Sequence, residues 1–264
     1  MALRDLTWVI LLGAVSTPST GLAQWEPHEV HQLNGMSGRI RSAARFQIVT
    51  ESWNRVVAVP YIVNMPDKDR LLMLVGCDYP HRAFVLTSDD RGATWTDPRP
   101  ARIGDDGKAS IGLGTSLAYL GKGKLVFYES GSAGAGQPSR WFSLDYGRTW
   151  GDPVPLAPTP DGKRWSIWDP PLVEQHARTG ELVRLIETGY QQSGHKNSQA
   201  FLRSSADGGA TWSSAAKIAQ WNGANEVALM RAANGHLIAA CRTVIPVRLQ
   251  SESIDHLEGL GIST

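Results

Sequence analysis

The chain has 264 residues, 42% of them hydrophobic and 19% charged, with 26 Lys and Arg against 25 Asp and Glu, enough for one large domain or two small ones with a real core. The even charge balance argues against a binder of nucleic acid or of anionic membrane, either of which demands an excess of Lys and Arg. With 27 Gly, 15 Pro, only two Cys and no sustained 3.5 or 3.6 apolar period, a disulfide scaffold, a coiled coil and a helical bundle are disfavoured as well.

In chain order, residues 1–23 read as a secretory signal. Arg4 sits in a short n-region, Leu6 to Val15 are apolar, and Gly21-Leu22-Ala23 supply small residues at the cleavage side. The apolar run falls short of the roughly 20 residues of a spanning helix. The expectation is therefore a secreted or periplasmic protein with no membrane span after cleavage. In such a compartment Cys77 and Cys241 are either a disulfide or two buried thiols. Residues 24–52 form a lead-in, whose His28-x-x-His31 reads as solvated rather than metallated.

Residues 53–264 are organised by a repeat. Ser88-Asp89-Asp90-Arg91-Gly92-Ala93-Thr94-Trp95 has the form S-x-D-x-G-x-T-W, and it recurs at Ser143 to Trp150 and at Ser205 to Trp212, with 55 and 62 residues between the serines. Each box suits a hairpin turn: the Asp accepts backbone N–H groups, the Gly takes positive φ, the Thr re-enters a strand and the Trp packs between sheets. Asp90, Asp145 and Asp207 are structural on this reading.

A strand pair precedes each box. Val57–Val63 and Leu71–Val75 flank a turn at Asp67-Lys68-Asp69. Thr115–Leu120 and Leu125–Tyr128 flank Gly121-Lys122-Gly123. Pro171–Val173 and Leu182–Ile186 flank Thr179-Gly180. Short strands at a period near 60 predict an all-β fold, four-stranded blades set radially in a β-propeller. A fourth unit runs through Glu226–Met230, turns at Asn234-Gly235 and returns through His236–Arg242. Gly261–Thr264 matches Phe84–Thr87, the strand before the first box. The chain thus reads as a fragment of about four blades, ending one residue before a fourth box.

Boxes of this form at this spacing resemble those of the sialidase (neuraminidase) superfamily, over about residues 53–264. The resemblance implies a six-bladed propeller, here truncated, and an exo-α-sialidase type of glycoside hydrolase that releases a terminal acidic sugar from a glycan or glycoconjugate, with no cofactor and no metal. Asn225 to Arg242 is similar to the family segment in which a glutamate opens an inner strand and an arginine closes the next. A hairpin at Asn234-Gly235 brings Glu226 and Arg242 to the same end of two strands, although a bulge would change the face each presents. The bland reading is a cross-strand ion pair.

In the roles implied by the resemblance, Arg242 clamps the substrate carboxylate in the planar, bidentate manner of a guanidinium, and Glu226 is the base for a tyrosine nucleophile that would lie beyond Thr264. Asp78, on the loop after the second strand, is the candidate acid/base. Its alternative is a solvated turn residue before Tyr79-Pro80. The sequence departs from the family where an R-I-P pattern opens blade one: Ala58-Val59-Pro60 stands there, with Arg55 out of register. That departure keeps open a non-catalytic propeller that binds glycan or protein, and a hydrolase or lyase for another sugar. Gly131 to Gly136 reads as a flexible loop, and Trp165, Trp168 and Asp169 read as blade-interface filling or as a sugar-stacking surface.

Overall fold

The computed structural model describes residues 25–31, 39–45, 47–130, 138–159, 162–192, 198–243 and 259–263. Residues 1–23, read above as a secretory signal, and residues 131–136, read as a flexible loop, lie outside the described residues. The chain divides into two compact units, 1–54 and Arg55–Thr264. In the first, β1 (Trp25–His31) pairs antiparallel with β2 (Arg39–Arg45), a strand pair that the lead-in's sequence does not announce.

The second unit is built of antiparallel sheets. The first contains β3 (Val57–Met65), β4 (Arg70–Cys77), β5 (Arg82–Ser88) and β6 (Arg99–Pro100) in that order. The next contains β7 (Gly114–Gly121), β8 (Lys124–Glu129), β9 (Ser139–Ser143) and β10 (Val154–Pro155). The third contains β11 (Leu172–Gln175), β12 (Leu182–Gln192), β13 (Ser198–Ser205) and β14 (Ala216–Asn222). In the fourth, β15 (Ala224–Arg231), β16 (Leu237–Thr243) and β17 (Gly259–Ser263) pair in sequence. Every strand pair expected from the sequence is present, and β17 falls on the segment that resembles the strand before the first box.

The core lies between consecutive sheets. Leu72, Leu74 and Val85 of the first sheet meet Leu117, Leu125, Phe127 and Trp150 of the second. Ala118 and Val126 meet Leu185 of the third, and Tyr190 and Ala200 meet Val227, Ala239 and Cys241 of the fourth. The unbroken apolar run of β4 is buried along its length from Met73 to Cys77, and a strand without an exposed face has no polar side to alternate with. Cys77 and Cys241 are both buried free thiols, and burial pushes the Cys77 thiol up to about 11. Among the described residues no helix is long and apolar enough to cross a membrane.

Each box is a closed hydrogen-bond network. Ser88 Oγ donates to Asp90 at 2.8 Å and accepts the Gly92 N–H at 2.7 Å; Asp90 accepts the Thr94 N–H at 2.8 Å and the Thr94 hydroxyl at 2.6 Å. The same bonds recur in the second box and in the third. The threonine does not re-enter a strand as expected. Its N–H and hydroxyl are both committed to the aspartate, so ladder pairing is postponed: Thr96, Gly151 and Ser213, each two residues past the threonine, donate back to Thr87, Phe142 and Ser204. Trp150 is buried edge-on against Phe127, and Trp212 packs between the second and third sheets.

The boxes fix the two ends of each sheet. Ser88, Ser143 and Ser205 lie opposite Leu71, Leu125 and Leu185, near the start of each second strand. At the other end the first strand begins where the second finishes: Val57 opposite Cys77, Gly114 opposite Glu129, Ala224 opposite Thr243. Asp78 and the Glu226–Arg242 pair belong to this second end.

Candidate active site

Three of the four inner strands carry a bulge at the same place. The register slips between Ala58 and Tyr61 in β3, between Thr115 and Ala118 in β7, and between Ala224 and Val227 in β15. Val59 and Ser116, inside the first two, have positive φ (51° and 58°), a conformation costly for a residue with a Cβ. Opposite the bulged pair stands one residue of the second strand: Val75 in the first sheet, Phe127 in the second and Arg242 in the fourth. Val75 and Phe127 are buried. Placing an arginine at a position otherwise filled from the core requires a polar partner, and the bulge supplies it. A β-bulge re-aims the side chains it contains, and in β15 the bulged pair is Asn225-Glu226.

The structure therefore brings Glu226 and Arg242 together: Arg242 Nη1 donates to Glu226 Oε1 at 2.8 Å. Their side chains are 29% and 40% exposed, open enough to meet a ligand. Asn225 Oδ1 accepts the Glu226 N–H at 2.7 Å and braces the bulge.

Asp78 is paired elsewhere. It lies just past β4 with φ 67°, its N–H donates to the Val56 carbonyl, and its carboxylate accepts from Arg55 Nη1 at 2.6 Å. The Arg55 guanidinium lies over the Phe84 ring, 4.7 Å from its centroid. Arg55, out of register with the R-I-P arginine, is thus held on Asp78 at the same end of the sheets as Glu226.

Sequence reasoning gave Asp169 no chemical role, and the structure sets it beside Glu226. The segment before β11 is tied to two other sheets: Thr115 Oγ1 donates to the Ile167 carbonyl at 2.9 Å, and Tyr61 Oη donates to the Trp168 carbonyl at 2.7 Å. Burial, reinforced by the Glu226 charge, raises the Asp169 carboxyl to about 6. Burial and the charges of Asp169 and Glu226 likewise push Tyr61 up to about 12. Tyr190 is raised by burial and by Glu226. Both phenols therefore stay protonated at neutral pH, without the lowered pKa of an activated nucleophile.

Next to this cluster is a cavity of about 280 Å³ lined by Glu129, Arg164, Ser166, Trp168 and Tyr190 among others. Trp165 is buried and packs edge-on against Phe201, as interface filling. Trp168 is only half-buried and faces the cavity. Among the described residues no group of three or more His, Cys, Asp or Glu side chains could hold a metal ion.

The arrangement combines a guanidinium that can receive a carboxylate, a carboxylate charge-matched by it, and a second carboxylate held partly protonated near pH 6.

Residues 134–259 match the family of BNR repeat-like domains. No curated protein sequence matches the chain. Among solved structures it is similar to a protein of unknown function from Dyadobacter fermentans (TM-score 0.52, 17% identity, 79% of this chain and 66% of that one). It is also similar to Trypanosoma rangeli sialidase in complex with sialic acid (0.52, 19%, 85% and 38%). A third likeness is to the catalytic domain of Coprinopsis cinerea GH62 α-L-arabinofuranosidase (0.52, 12%, 83% and 77%). At these identities the likeness is one of fold, and the chain spans 38% of the sialidase's length. The matched segment takes in the second and third boxes, and the first repeats their hydrogen bonds outside it, so residues 134–259 are similar to BNR repeat-like domains and the chain shares the propeller fold of the structures it resembles.

Proposed function

We propose that this chain is part of a glycoside hydrolase that takes a terminal acidic sugar, sialic acid or a related one, from a glycan or glycoconjugate outside the cytoplasm. The observation that carries the reading is the Arg242–Glu226 pair in the β15 bulge, where the first two sheets place Val75 and Phe127. An exposed ion pair contributes under about 1 kcal/mol to stability, so fold stability gives little reason to put charge there, whereas recognition of a substrate carboxylate gives a direct one. The secretory pattern of residues 1–23 supports the compartment. A fluorogenic sialoside tests the activity: turnover that disappears in Glu226→Gln and Arg242→Ala supports it, and unchanged turnover in the double variant removes the site assignment.

A second reading, a propeller that binds an acidic glycan without cleaving it, is favoured by one observation. Ala58 replaces the arginine of the family's R-I-P pattern, and Arg55 is engaged with Asp78. Saturable binding of the same sialoside without release of the fluorophore would establish this reading.

A further inference from the structure

We propose that a cleft between the second and third sheets is a second binding site, one that takes a carboxylate ligand. The cleft encloses about 490 Å³ between β10 and the third box, and it shares no lining residue with the Glu226–Arg242 pair. Its charged lining residues are Arg140 of β9 and Arg203 of β13; among the described residues no acid stands in its wall. The site is independent of the reaction proposed at Glu226.

Charge counting points to an anion here. Arg140 and Arg203 both donate to Glu187, whose other oxygen accepts the neutral Tyr128 hydroxyl. The two arginine side chains are 4% and 7% exposed and that of Glu187 is 1% exposed. Two permanent cations therefore share one anion, and a positive charge is left over in a desolvated place, where an uncompensated charge is costly. Aromatic faces offset part of that cost: the Trp212 ring centroid is 4.4 Å from the Arg140 guanidinium, and the Trp165 centroid is 4.9 Å from that of Arg203. A ring has no net charge, however, and cannot cancel the surplus.

The hydrogen bonds leave the same deficit. Arg203 commits Nε to Glu187, while its Nη2 is buried without a partner. Trp165, which packs against Arg203 and also lines the cleft, has its Nε1 buried without a partner. Both orphans are donors, so what each lacks is an acceptor. One surplus charge is balanced by a monovalent anion, whereas a sulfate or phosphate dianion would reverse the sign. A carboxylate is monovalent and planar, and it accepts the N–H groups of a guanidinium. Val154, Pro155 and Pro158 give the cleft an apolar stretch for the carbon skeleton of the acid.

The test is calorimetric titration of the full chain carrying Arg242→Ala, which removes the other guanidinium offered to a carboxylate. The probes are sodium acetate and sodium glucuronate at pH 7 and constant ionic strength, with sodium sulfate and methyl glucoside as controls. Saturable binding of a carboxylate is expected. A glucuronate affinity tenfold or more above that of acetate assigns the site to an acidic sugar, and a smaller difference assigns it to small organic acids in general. Adding Arg203→Gln leaves Arg140 and Glu187 charge-balanced and should weaken binding roughly ten- to a hundredfold. Ala157→Glu, at an exposed position in the cleft wall, supplies the carboxylate from the chain itself and should abolish binding of the free acids; it decides the matter if Arg203→Gln does not fold. No saturation by either carboxylate overturns the proposal, as does binding unchanged by these substitutions. Tighter binding of sulfate, or equal binding of methyl glucoside, overturns it too.

Discussion

Arg242 reaches Glu226 across a register slip that the first two inner strands share, at a place where those strands face Val75 and Phe127. One backbone device, repeated around the sheets, buries apolar side chains twice and presents an ion pair once.

Function and stability should therefore separate at this pair. Because both side chains are substantially exposed, Glu226→Gln and Arg242→Ala are each expected to change unfolding free energy by less than about 1 kcal/mol. Each should nevertheless remove sialoside turnover or binding. Denaturant titration beside the activity assay checks this, and a loss of several kcal/mol would make the pair part of the scaffold.

A second charged cluster should behave in the opposite way. Between the second and third sheets, Arg140 donates to Glu187 at 2.6 Å, and Arg203 and the Tyr128 hydroxyl also donate to it. Glu187 is only 1% exposed, and Trp212 lies beneath both guanidiniums. Removing the shared anion leaves two desolvated cations without their counter-charge, so Glu187→Gln is expected to cost about 3–5 kcal/mol.

The box glycines should differ among themselves. Gly92 and Gly147 both have positive φ, 91° and 79°, so an alanine at either carries a backbone cost of about 1–2 kcal/mol. A Cβ at Gly92 would meet Leu71 at an ordinary 3.6 Å, whereas one at Gly147 would collide with Leu72 of the first sheet. Gly147→Ala should thus be the more destabilising by a further 1–3 kcal/mol, because the second box packs on the first sheet. Equal melting temperatures for the two variants would contradict that packing.

These contrasts show how much the sequence discloses. The boxes, turns and strand pairs are local, so a repeated pattern of serine, aspartate, glycine and tryptophan reveals them. The Glu226–Arg242 pair is also nearly local, since the hairpin at Asn234-Gly235 sets its register; the bulge between them follows only from the fold. Asp169 is not legible in this way, because it lies in the segment before β11 rather than at a patterned strand position. What raises its carboxyl is the packing of one sheet on the next. The Arg140–Glu187–Arg203 cluster is legible only after two sheets are stacked, because each residue alone reads as a charge on a strand.

The pH dependence of stability should carry opposing contributions from two sets of aspartates. Asp90 is lowered to about 2 by the Thr94 hydroxyl and N–H and by Ser88, and Asp207 is lowered by the matching bonds from Thr211 and Ser205. A depressed carboxyl stabilises the fold above its ordinary pKa near 4, and the effect is lost as pH falls toward 2. Asp169 has the reverse sign. Raised to about 6, it binds a proton more tightly folded than unfolded, so its contribution is most favourable below about 4 and is lost as pH rises through about 4 to 6. Its net charging penalty at neutral pH, reduced by its partial exposure, is on the order of 1–2 kcal/mol. Asp169→Asn should accordingly be more stable than the unmodified chain at pH 7.5 and indistinguishable from it at pH 4, whereas Asp207→Asn should be less stable at pH 7.5 and approach it in acid. Thermal melts of the three proteins across pH 3 to 8 check both signs, and an Asp169→Asn variant that is less stable at pH 7.5 would show that the carboxylate stabilises the fold rather than straining it.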